Sequence, residues 1–324
     1  MLKLNLMMNN RFIFEVSLLN LKPPKMKSVC TAFLLIFCTI FLACNNSSDN
    51  KKQNAASAKI NIVSNNVRID YTDSGKGDTT LLFVHGWCIN KTYWADQVAH
   101  FGKRYRVVAI DLPGYGLSGK NRKVWNTAAF GQDISNVIKQ LDLKNVVLIG
   151  HSMAGDIVLE GAVNSPEKVI ALVGVDNFQS VGIQPTGDTA KARKEYADAI
   201  KALKQNFKKV ATDYFKQDLF YKTTSKAVKD RILNDVNHAD PAIATACMEE
   251  FNYPGAAKLQ EVKKKLYLIN SDYHETDTTG LVAKKLPYKL LLIHTTGHFP
   301  MVEKPAEFNK ALDNVMADIN LNNR

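Results

Sequence analysis

The hexapeptide Gly150-His151-Ser152-Met153-Ala154-Gly155 lies between an apolar run at residues 146–149 and the apolar residues Ile157, Val158 and Leu159. A serine on a strand-to-helix turn is lifted above the sheet, and small neighbours let the backbone turn sharply beneath it. Such a serine becomes a nucleophile when a base takes its proton. Ala154 stands where this kind of turn usually has Gly; it adds little bulk, and Gly155 follows. The candidate base is His298, within Gly297-His298-Phe299-Pro300-Met301-Val302-Glu303-Lys304-Pro305. That segment falls after the last apolar run and before the last helical one, which places His298 on a loop at the strand ends, within reach of Ser152.

Acyl transfer also needs donors for the oxygen that gains negative charge, and fixed backbone N–H groups supply them. His85-Gly86-Trp87 follows the apolar run 81–84, so the amides of Trp87 and Met153 are the expected oxyanion-hole donors. His85 precedes the turn that presents this amide and reads as a structural residue of the loop, not a base. Residues 111–119, Asp-Leu-Pro-Gly-Tyr-Gly-Leu-Ser-Gly, contain a literal G-x-G-x-x-G. A dinucleotide fingerprint requires those glycines to open an apolar helix. Here Lys120-Asn121-Arg122-Lys123 follows, so nucleotide binding is not expected. His100, His238, His274 and His294 read as surface or satisfied core residues.

These residues need a scaffold of alternating strands and helices. Residues 60–63 and 67–71 alternate apolar and polar types around Ser64-Asn65-Asn66, a hairpin signal. Short apolar runs typical of buried parallel strands follow at 81–84, 106–110, 146–149, 169–175, 266–269 and 290–293. Helical spacing is clearest at Phe130, Ile134, Val137, Ile138, Leu141 and at Phe308, Leu312, Val315, Met316, Ile319. This order predicts an α/β fold with a mostly parallel sheet of about eight strands and helices on both faces. Residues 178–264, helix-like and charged, read as a helical cap inserted after the sixth strand, 169–175. Its aromatics Tyr196, Phe207, Tyr214, Phe215, Phe220, Tyr221, Phe251 and Tyr253 read as cap core, with an apolar acyl pocket as the alternative.

The chain has 324 residues, 46% of them hydrophobic, enough to bury a full core. Its formal charge is +11, but five basic residues and one acid fall within 1–43, and the other lysines are scattered among acids. No basic stripe with interleaved aromatics appears, so nucleic acid is not an expected partner. From Met26 the chain reads as a signal peptide, with Met26 the expected start and no role for residues 1–25. The uncharged stretch 28–43 is shorter than the ~20 residues of a spanning helix. Its end, Phe41-Leu42-Ala43-Cys44, resembles a bacterial lipobox, which implies lipidation of Cys44 and anchoring in the bacterial cell envelope; cleavage near Ala43 to a soluble secreted product is the alternative. Residues 44–58 form a polar tether, leaving 59–324 as the folded body. Only Cys88 and Cys247 remain there, expected as separate buried thiols.

The four motifs, in this order and spacing, resemble the α/β-hydrolase superfamily from about Lys59 to Arg324. The resemblance implies a Ser-His-Asp triad, hydrolysis through an acyl-enzyme, and no cofactor or metal. A serine at the elbow argues against dehalogenases and epoxide hydrolases, which resemble this fold but use Asp there. Members usually carry the acid after the seventh strand in a Gly-x-x-Asp turn, where this chain has Asn270-Ser271-Asp272-Tyr273, one residue early. Asp272 is therefore the expected acid. Asp176, ending the sixth strand, occupies the alternative position seen in some lipases of this fold, and Asp277 is a third candidate. The expected substrate is a small molecule with an acyl group, most simply a carboxylic ester. A ligand-binding lipoprotein that kept the fold without catalysis is the alternative, as are a serine-dependent C–C hydrolase, a peptidase or a perhydrolase.

Overall fold

Asn65 and Asn66 both take left-handed backbone angles (φ 48° and 63°), as a two-residue hairpin turn demands, and they join β1 (Ile62–Ser64) to β2 (Val67–Ile69). The structure, a computed structural model, describes residues 60–183, 189–250 and 252–322. The signal segment, Cys44, the tether and Phe251 lie outside the described residues.

The hairpin is a separate two-stranded sheet. Ser64 Oγ donates to Asp133 Oδ1 at 2.6 Å, and Gln140 bonds the backbone of Val63, which ties the hairpin to helix Thr127–Gln140. The alternating stretch 67–71 is not one strand. It breaks at Asp70, whose carboxylate meets Lys91 Nζ at 2.7 Å, and β3 (Tyr71–Asp73) then pairs antiparallel with another sheet. Among the described residues the main sheet has seven strands, close to the expected number, with the hairpin forming a second sheet.

Its remaining members are β4 (Thr80–Val84), β5 (Arg106–Ile110), β6 (Val146–His151), β7 (Val169–Val175), β8 (Leu266–Ser271) and β9 (Tyr288–Ile293). The order is β3-β5-β4-β6-β7-β8-β9, parallel except for β3, with helices around it. All residues of β4, β6 and β8 are buried, as expected of parallel strands covered on both faces. The anticipated apolar faces at 130–141 and 308–319 are buried too.

Strand order reverses at β4, which has β5 on one side and β6 on the other. The crevice beyond the carboxyl ends of β4 and β6 is thus the switch point where open α/β sheets place ligands. Both the His85–Trp87 loop and Ser152 leave the sheet there. Among the described residues, the connection from β7 to β8 contains helices and no strand: Thr189–Tyr214, a π-helical turn Phe215–Leu219, Lys226–His238, Pro241–Ala246 and Gly255–Val262.

Candidate active site

Ser152 leaves β6 with φ 54°, a left-handed conformation that costs a non-glycine residue about 1–2 kcal/mol, and helix Ala154–Asn164 starts two residues later. Its amide donates to Val175 O at 2.9 Å, and its carbonyl accepts from Gly155 N at 2.9 Å. Close approach dictates the flanking glycines. A Cβ at Gly150 would lie 2.3 Å from Ala154 O, and one at Gly155 would lie 2.2 Å from Asn177 Nδ2. Ala154 fits, fully buried.

The loop after β4 passes directly over this turn. A Cβ on Gly86 would sit 3.1 Å from Ser152 Cβ and 2.6 Å from His151 Nδ1, so only glycine lets the Trp87 amide follow so closely. The Met153 amide opens the helix, where the first N–H groups have no intrahelical acceptor. His85 is fully buried, accepts from Leu112 N at Nε2 (3.0 Å) and donates from Nδ1 to Gly86 O (2.8 Å). Burial, the largest influence, pushes its pKa down. It links the two loops as a neutral tie. The glycine-rich loop wraps a carboxylate: Asp111 accepts from Leu117 N at 2.9 Å and pairs with Lys91 Nζ at 2.6 Å, and a Cβ on Gly116 would lie 2.3 Å from Asp111. No helix opens there.

His298 is 8% exposed, and its Nδ1 lies 2.5 Å from Asp176 Oδ2. Asp176 follows β7 with φ 48°, and its other oxygen, Oδ1, accepts from Ser271 N (2.7 Å) and Ser271 Oγ (2.8 Å). Burial by itself would raise this carboxyl; the His298 hydrogen bond and charge, with the two Ser271 donors, outweigh it and hold the pKa below the usual carboxylate range. Asp272, the acid favoured from sequence, is not at His298. It accepts from His294 Nδ1 at 2.8 Å and Thr295 N at 3.0 Å, with its side chain 36% exposed. β8 ends at Ser271, which is fully buried, and Asp272 lies one residue past the strand, where it is exposed. Asp277 accepts from Thr279 on the surface.

Two residues brace the elbow without having been singled out. His151 donates from Nε2 to the His298 carbonyl at 2.7 Å, with ring centroids 4.8 Å apart, and joins the elbow to the His298 loop. Asn177 Nδ2 donates to Gly150 O (2.9 Å) and Ser152 O (3.2 Å). Their only sequence signal was position beside Ser152 and Asp176. Glu303, within the quoted His298 motif, accepts from Gly297 N and Phe299 N and from Thr224 Oγ1 of the cap segment.

The model of the alpha/beta hydrolase family matches residues 81–311. The chain belongs to that family. The chain is 25% identical over 272 residues to a 2-hydroxy-6-oxononadienedioate/2-hydroxy-6-oxononatrienedioate hydrolase of Escherichia coli, covering 78% of this chain and 91% of that one. It is 26% identical over 142 residues to the dihydrolipoyllysine-residue acetyltransferase component of an acetoin cleaving system of Cupriavidus necator, 42% of this chain but only 38% of that protein. Its fold matches a thermophilic esterase from Thermogutta terrifontis with TM-score 0.67 at 18% identity, over 80% of this chain and 97% of the other.

Trp87 reaches from the loop after β4 into the helical connection between β7 and β8. Its indole Nε1 donates to Ala244 O at 2.8 Å, and its ring lies 5.8 Å from both Phe215 and Phe207. Phe215 and Phe220 also pack on Phe299, and His298 N donates to Leu219 O at 2.9 Å. Two other cap aromatics serve different contacts: Tyr196 bonds the carbonyl of Met248, and Tyr253 bonds Glu160 at 2.8 Å. Cys88 and Cys247 are both buried thiols, not joined in a disulfide. Among the described residues no group of three or more His, Cys, Asp or Glu is arranged to hold a metal ion.

Proposed function

We propose that this chain is a serine hydrolase working through an acyl-enzyme, with Ser152 as nucleophile, His298 as base and Asp176 as the acid that orients it. The observation that carries this reading is the 2.5 Å contact between His298 Nδ1 and the buried Asp176, with the His298 carbonyl bonded by His151, the residue before a serine held at positive φ. With Nδ1–H donating to the carboxylate, Nε2 is the ring nitrogen left with a lone pair. It takes the Ser152 proton as Oγ attacks the acyl carbon, then gives it to the leaving group; a water repeats the cycle to release the acid. The amides of Trp87 and Met153 hold the oxyanion, each such donor contributing roughly 3 kcal/mol to the barrier reduction.

The preferred substrate is a carboxylic ester, consistent with the apolar rings of Trp87, Phe207 and Phe215 beside the oxyanion loop. The name of the Escherichia coli relative, which this chain matches over 91% of its length, supports C–C hydrolysis as the second reading. A fluorophosphonate probe tests the nucleophile: Ser152 should label in the wild-type protein and not in Ser152→Ala. Absence of labelling would favour a binding protein on this fold. Acyl esters of graded length, assayed beside a vinylogous 1,5-diketone acid, separate the two reactions.

The same reading places the enzyme in the bacterial envelope through lipid on Cys44, supported by the sequence 41–44. Cys44→Ser should release it from membranes or block processing. Mass spectrometry of an unmodified N-terminus at or beyond Cys44 would sink this.

A further inference from the structure

We propose that Ser271 is a positioning residue of this site, one that aims the Asp176 carboxylate and sets how strongly it pulls on His298. The proposal rests on the triad reading above and adds to it a fourth side chain. Ser271 is fully buried at the end of β8, on a rigid strand and not on a loop. Both of its donors go to one oxygen: the amide at 2.7 Å and the hydroxyl at 2.8 Å, each to Asp176 Oδ1. The other oxygen, Oδ2, is thereby left for His298.

Geometry explains why a second donor is needed. Asp176 still pairs through its amide with Ile269 O of β8 at 3.2 Å, and then the chain turns out of the sheet at φ 48°. A lone carboxylate there could rotate about its last torsion, which has a broad profile. Two convergent donors on Oδ1 fix its plane and point Oδ2 at the imidazole. Neighbouring Asn270 holds the partner loop still: its Oδ1 accepts from Asn177 N at 3.3 Å and its Nδ2 donates to Asn177 O at 3.0 Å. The strand end that supplies the acid in the resembling pattern here supplies donors to an acid seated one strand away.

The hydroxyl also has an electrostatic consequence. A neutral donor draws carboxylate charge toward itself and weakens the attraction for an imidazolium on the other oxygen. Removing it leaves more charge facing His298 and favours the protonated ring. The groups facing this pair do not obscure the effect. His151, at the end of β6, is pushed down to about 3 by burial and by His298. Tyr214, from the cap, is pushed well up by burial, with Asp218 and Asp176 adding to it. Neither changes charge between about pH 5 and 9. His85 is held neutral by burial, and Glu303 binds the loop amides of Gly297 and Phe299, not the ring.

The test compares wild type, Ser271→Ala and Ser271→Cys. Ala removes the hydroxyl and keeps the backbone donor; Cys keeps the size with a weaker donor. We expect kcat to fall about three- to tenfold in Ser271→Ala, and the acid limb of kcat/KM to move up by roughly half to one pH unit, with Ser271→Cys in between. A fall in kcat or melting temperature with an unmoved acid limb would overturn the proposal, because a purely structural serine would behave that way. If Ser271→Ala does not fold, the limb of Ser271→Cys decides in the same manner. Proton NMR of the deshielded Nδ1 proton shared by His298 and Asp176 gives a readout that needs no turnover: it should shift in both variants, and an unshifted signal counts against Ser271 even in an inactive protein. Failure of fluorophosphonate labelling in wild type would instead reject the hydrolase reading, so the two failures are distinct.

Discussion

His298 Nδ1 meets Asp176 Oδ2 at 2.5 Å across 122 residues of sequence, while Asp272 is engaged by His294 at 2.8 Å on the surface. The two carboxylates follow adjacent parallel strands, yet only one shares a hydrogen bond with the candidate base. Asp176→Asn should therefore lower kcat by about 10⁴-fold, the loss seen when a triad acid is replaced by its amide. Asp272→Asn should stay within about twofold of wild type, since an exposed pair contributes roughly 0–1 kcal/mol to stability and nothing to the base. A collapse of kcat in Asp272→Asn, with melting unchanged, would refute the assignment.

The backbone at Ser152 makes a second prediction that separates stability from activity. Ser152→Ala and Ser152→Gly should both lose activity, by about 10⁶ in kcat for a nucleophile of this kind. The glycine variant should nevertheless be the more stable, because φ 54° strains any residue with a Cβ. The expected gap is about 1 kcal/mol, or roughly 2–4 °C in melting temperature for a chain of this size. Equal melting temperatures would mean that the turn relaxes when the hydroxyl is removed.

The parts of this site that sequence made legible are those set by local pattern. Ser152 and His298 sit in motifs whose flanking strand and helix can be read within a dozen residues, and the faces Phe130–Leu141 and Phe308–Ile319 follow helical spacing into the core. Asp176 against Asp272 was not decidable that way. Both acids follow apolar runs that become neighbouring strands, and the choice depends on one positive φ at Asp176 and on where β8 ends, with Ser271 buried and Asp272 exposed just beyond it. The break between β2 and β3 was not legible either: alternation continues through Asp70, whose carboxylate is engaged by Arg68 and Lys91 and whose amide donates to Ser118 Oγ.

Buried histidine gives a pH dependence of stability with a definite sign. An unfolded imidazole titrates near 6.5, whereas His151 in the fold is pushed to about 3 by burial and by the facing His298. Between these values the unfolded chain binds a proton that the folded chain refuses. Stability therefore rises with pH through this window, and is lost as pH falls below about 6.5, by at most about 1.4 kcal/mol per unit from this residue. His85, also lowered, acts in the same direction, so the measurement must be a difference. His151→Gln should show a smaller drop in melting temperature between pH 7 and pH 5 than wild type. An equal drop would show that His151 is not the group being titrated.

Trp87 joins the loop after β4, the proposed oxyanion loop, to the helices between β7 and β8, and its two parts should be separable. Its assigned catalytic contribution lies in the main-chain amide, which every substitution except proline keeps. Its side chain contributes packing against Phe215 and Phe207 and a hydrogen bond to Ala244 O at 2.8 Å. Trp87→Phe retains a ring but leaves that buried carbonyl without its donor, at a cost of about 1–3 kcal/mol. The melting temperature should fall by several degrees, while kcat on a small ester stays within a few-fold of wild type. Loss of an oxyanion donor, by contrast, costs about 10²–10³ in kcat. A loss of that size in Trp87→Phe with an unchanged melting temperature would mean that the indole itself, and not the amide beneath it, stabilises the reacting oxygen.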